Sequence, residues 1–62
     1  MPHLDISVQE LIYIAMGFRG LARDEREYAE KATSHVVKEH HLDAAETYDR
    51  LAKKYDDLSK KR

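Results

Sequence analysis

Ser7-Val-Gln-Glu-Leu-Ile-Tyr-Ile-Ala-Met-Gly-Phe-Arg-Gly20 is the stretch whose reading decides the fold. It gathers most of the large apolar residues of an otherwise charged chain into one short block. Ser7 and Glu10 have the spacing of a capping box, and Ile6 and Leu11 that of a hydrophobic staple, so a helix is expected to begin at Val8. Leu11 to Met16 is an uninterrupted apolar run. A helix on the surface of a larger protein shows an apolar stripe and a polar back, so this one calls for cover on more than one side. Gly17 and Gly20 are natural stop points, because glycine closes a helix in the left-handed conformation without steric cost. Phe18 then supplies the hydrophobic contact back across the last turn, and the helix is expected to end between Met16 and Arg19.

The remaining composition bounds what this block can do. Sixty-two residues make a single domain near the lower limit for independent folding. There is no cysteine, so neither a disulfide nor a thiolate zinc site is available to staple it. Self-association or a partner protein is the expected stabiliser, most simply a homodimer. Charged residues make up 37% of the chain yet nearly cancel to a net charge of −1, which argues against electrostatic capture by nucleic acid or an acidic membrane. The apolar run is too short to span a bilayer and has no basic leader, so no membrane anchor or signal peptide is expected and the default location is cytoplasmic.

Outward from the block, residues 1–6 contain Pro2 and short polar side chains and are expected to form a flexible lead-in. From Leu21 onward glycine and proline are absent, which predicts an all-helical remainder. Leu21, Tyr28, Ala29, Ala32, Val36 and Val37 recur at helical steps and suggest a helix over 22–40. Asp24, Glu25 and Glu27 suit its positive N-terminal end, and Lys38 its other end. Asp43 and Glu46 repeat the capping-box spacing, which places a tight turn at His41–Asp43. Ala44, Tyr48, Leu51, Tyr55 and Leu58 then alternate in steps of four and three over 44–59, the spacing of a bundle seam. Four acid-to-base pairs at four-residue spacing decorate that last helix: Glu46–Arg50, Asp49–Lys53, Asp56–Lys60 and Asp57–Lys61. The expectation is all-α, with three helices at about 8–17, 22–40 and 44–59. The last two form an antiparallel hairpin, the first packs across it, and the whole assembles as a dimeric bundle.

In its small and aromatic positions, Tyr28, Ala32, Ala44, Tyr48 and Leu51, the second and third segments together resemble one tetratricopeptide unit. The repeat's glycine and closing proline are missing and no second copy follows. The resemblance implies a way of packing two helices and no function.

Chemistry is sparse. His35 and Glu39 lie one turn apart, with His40 and His41 beside them, but a metal would need a third ligand from His3, from His41 across the turn or from another chain. Polar residues at a helix end account for the cluster, with a pH-sensitive contact as the milder functional alternative. Ser7, Ser34 and Ser59 lack the glycine-rich elbow of a nucleophile, and Gly17-Phe-Arg-Gly20 lacks the lysine of a phosphate loop. No catalytic residue, metal ligand or cofactor is therefore assigned.

Arg19, Arg23 and Arg26, with Lys60, Lys61 and Arg62 at the tail, are the residues a nucleic acid would use. The acidic residues interleaved with the first three would repel phosphate. The favoured expectation is a non-catalytic protein-binding module: a small inhibitor, adaptor or regulatory subunit of the kind that phages and other mobile elements encode. A dimeric RNA- or DNA-binding bundle is the alternative. Helical geometry divides the first block into two rows. Val8, Leu11, Ile14 or Ala15, and Phe18 form one, and Ile12, Tyr13, Met16 and Arg19 the other. Ile12, Tyr13, Met16, Phe18 and Arg19 are the expected interface, since aromatic, Met and Arg side chains are enriched there.

Overall fold

The structure, a computed structural model, describes residues 6–61. The expected lead-in lies almost wholly outside them. Two helices account for the described chain, α1 over Val8–Lys31 and α2 over His35–Lys61, packed against each other as an antiparallel hairpin. No strand occurs among the described residues.

Helix α1 starts where its capping box says it should. Ser7 is extended (φ −72°, ψ 161°), its Oγ accepts the Glu10 N–H at 3.1 Å, and its hydroxyl donates to Glu10 Oε1 at 3.1 Å. Satisfying one of the orphan amides of a first turn in this way contributes about 1 kcal/mol.

The expected stop at Gly17–Gly20 does not occur, and the three-helix count is corrected to two. Neither glycine has a positive φ, and α1 passes through both. Glycine inside a helix costs about 1 kcal/mol against alanine, which weakens a helix without ending it. What carries α1 through is a seam continuous on both sides of the glycines: Leu11, Ala15, Ala22 and Ala29 are all buried.

The expected turn at His41–Asp43 is helical as well. Asp43 caps nothing; its carbonyl accepts from Thr47 Oγ1 at 3.1 Å. The chain turns at Ala32-Thr33-Ser34 instead. Ala32 leaves the helix (φ −70°, ψ 134°) with its N–H donating to the Ala29 carbonyl at 3.3 Å, and the Lys38 N–H donates to Ser34 at 2.9 Å to open α2. Thr33 and Ser34 are residue types whose side chains compete with helical hydrogen bonding, so a break is cheaper there than within the seam.

The core is narrow and built of small residues. Ala15, Ala22 and Ala29 recur every seven positions on α1, and Ala45, Ala52 and Ser59 do the same on α2; all six are at most 7% exposed. Ser59 Oγ donates to the Asp56 carbonyl at 2.6 Å, so its burial leaves no orphaned hydroxyl. Such a seam lets two helices approach closely while burying little apolar volume per residue. Among the described residues Leu11 is the only large side chain that is buried, at 4% exposed, and none falls below 2%. The molecule measures 48 × 21 × 13 Å, one layer of helices thick, and its radius of gyration of 14.5 Å exceeds the roughly 10.6 Å of a compact chain this long.

Candidate interaction surface

The two sides of the alanine seam carry different chemistry. On one side, Arg19 Nη2 lies 3.6 Å from Asp56 Oδ2, and Arg26 pairs with Asp49. Lys60 adds a contact to Asp56 at 3.3 Å. On the other side, the Phe18 ring lies between Tyr48 and Tyr55, with ring centroids 6.0 and 5.8 Å away and both pairs near parallel. Toward the turn the same side holds Glu25, whose Oε2 is 2.5 Å from His41 Nδ1, and Tyr28, whose ring centroid lies 5.6 Å from that of His41.

Phe18 thus packs within the hairpin, against Tyr48 and Tyr55. The other expected interface residues point away. Ile12, Tyr13 and Met16 are 41%, 60% and 55% exposed, whereas Leu11 and Ala15 of the neighbouring row are buried. Arg19 stands beside them, partly exposed and tied to Asp56. The structure therefore sets Ile12, Tyr13, Met16 and Arg19 on the flank of α1 that carries the Arg–Asp pairs.

A second apolar surface was not legible from residue types alone. Ile14, Gly17, Phe18 and Leu21 line an open apolar groove of about 360 Å³ on the aromatic side. An added Cβ at Gly17 would meet nothing within 4 Å, so the glycine leaves the groove floor open without serving any close contact in the hairpin. Ile14, Leu21 and Tyr28 form one row at seven-residue spacing, and Leu51 and Leu58 form its counterpart on α2. Leu21, Tyr28 and Leu58 are 45%, 55% and 39% exposed. Placing a helix end at Gly17 hides that row, because it splits Ile14 from Leu21.

The remaining candidates have been given simpler settings. His35 Nε2 meets Glu39 Oε1 at 3.1 Å on an exposed turn, and the rings of His40 and His41 are 5.9 Å apart. Among the described residues no group of three or more His, Asp or Glu is arranged to hold a metal ion. His3 lies outside them. Arg23 is 4.0 Å from Asp24, so each arginine of the expected basic ridge has a carboxylate at hand. Of the four expected acid-to-base pairs on the last helix, Glu46–Arg50 and Asp56–Lys60 are formed, while Asp49 turns to Arg26. No described helix is long and apolar enough to cross a membrane.

Fold and surface together define an antiparallel two-helix hairpin with an alanine seam and two exposed apolar flanks. No protein-family model, no curated protein and no solved structure matches the chain.

Proposed function

We propose that this chain is a non-catalytic protein-interaction module, an inhibitor, adaptor or regulatory subunit, that works as a homo-oligomer. One observation carries the reading: Ile12, Tyr13 and Met16 hold large apolar side chains in solvent around Arg19, in a chain whose own core uses alanine. Scattered exposed leucines need no explanation, but Ile, Tyr, Met and Arg adjacent on one flank have the make-up of a binding hot spot. The nucleic-acid alternative draws less support from the geometry, because Arg19, Arg23 and Arg26 all face carboxylates.

Capture of partners from the source cell, with and without nuclease and across a salt series, tests the reading. A protein partner held by an apolar contact is retained through nuclease treatment and changes little with salt. Binding that disappears with nuclease and weakens steeply as salt rises would overturn it in favour of nucleic acid.

A further inference from the structure

The aromatic side of the hairpin lies on the opposite side of the seam from Ile12 and Met16, and it raises its own question of what covers it. We propose that a second copy of this chain covers it. The two hairpins stack aromatic side to aromatic side about a two-fold axis parallel to the helices, so that α1 of each copy lies against α2 of the other. This rests on the self-association proposed above and adds its face, symmetry and register.

Two independent observations lead to this occupant. The first is area. The accessible surface of 5086 Å² exceeds by roughly 900 Å² the about 4,200 Å² of a compact protein of this mass, and a standard interface buries about 800 Å² on each partner. A single helical layer that gains a second copy becomes a two-layer, four-helix bundle.

The second is shape and register. Arg19 and Arg26 are seven residues apart, as are their partners Asp56 and Asp49, so the antiparallel alignment is constant along the hairpin. Phe18 stands midway between Tyr48 and Tyr55, and α1 and α2 are joined by only Ala32, Thr33 and Ser34, so Gly17, one position before Phe18, is level with Leu51. A two-fold axis along the helices preserves height, so Leu51 of the second copy arrives level with Gly17. It meets the groove walled by Ile14, Phe18 and Leu21. An isologous interface requires knob and hole on the same patch, and this face has both.

The chain has no cysteine, so single cysteines report the contact directly. Gly17→Cys and Leu51→Cys chains, one isotopically labelled, are mixed under mild oxidation, and the parent chain is weighed by sedimentation equilibrium. A disulfide forms only where Cα atoms come within about 7 Å. Expected are a parent mass of two chains, a covalent product made of one Gly17→Cys and one Leu51→Cys chain, and no product from either variant alone. A two-chain mass without the mixed product, or with each variant linking to itself, overturns this face and register while leaving self-association in place. A single-chain mass at micromolar concentration with full helicity overturns both.

Discussion

Arg26 on α1 and Asp49 on α2 form an ion pair across the hairpin, one heptad from the matching pair of Arg19 and Asp56. Both partners are about half exposed, so the pair contributes at most about 0.2–1 kcal/mol. Its larger consequence is alignment, since a slip of α2 along α1 separates both arginines from their carboxylates at once. A double-mutant cycle on Arg26→Asp and Asp49→Arg is expected to show each single change destabilising and the double exchange recovering most of the loss. Urea unfolding measures this, and the coupling should shrink in molar salt.

The alanine seam is expected to reject volume. Ala22→Leu and Ala52→Leu, at positions 1% and 2% exposed, should each lower stability by about 1–3 kcal/mol through overpacking. Lys53→Leu, beside the seam but exposed, should stay within about 0.5 kcal/mol of the parent. Thermal unfolding followed by circular dichroism separates the two, and a neutral Ala22→Leu would show that the helices do not meet there.

Gly20→Ala should stabilise the protein by about 0.4–1 kcal/mol. Gly20 lies inside α1 without a positive φ, and an added Cβ would meet nothing within 4 Å. The gain comes from the reduced freedom of the unfolded chain. A loss of stability would mean that α1 is interrupted at this position after all.

The two serines that precede the helices are expected to differ. Ser7→Ala removes a formed cap and should cost about 1 kcal/mol of stability, within a range of 0.5–2. The Ser34 side chain makes no hydrogen bond among the described residues, and its backbone carbonyl alone serves Lys38, so Ser34→Ala should cost clearly less. Denaturant midpoints of the two variants provide the comparison.

What was legible in the sequence follows from the strength of each local signal. Ser7 and Glu10 predict the start of α1 because both halves of the capping box are chemically specific. Inward and outward rows in the first block are legible in part, since helical spacing separates Leu11 and Ala15 from Ile12, Tyr13 and Met16, while Val8 of the inward row is 39% exposed. The helix count was not legible. Two glycines and a second capping-box spacing at Asp43 are each worth about 1 kcal/mol locally. They are outweighed by a seam that repeats every seven residues through Ala15, Ala22 and Ala29 and again through Ala45, Ala52 and Ser59. Small residues make a weak apolar signal, so attention to large side chains passes over that seam. Once α1 is read as one helix, Ile14, Leu21 and Tyr28 fall into a single row and the second surface comes into view.

The most direct test of the proposed function compares fold and binding in the Tyr13→Ala and Met16→Ala variants. Helicity and melting temperature are recorded beside capture of the protein partner. Both side chains are more than half exposed, so stability is expected to change by no more than about 0.5 kcal/mol. Loss of an interface anchor should cost about 2 kcal/mol of binding, about a 30-fold weaker Kd. Intact melting with lost capture is the expected result. Capture unchanged in both variants, or a collapse of helicity in both, would contradict the assignment of this flank of α1 as the binding surface.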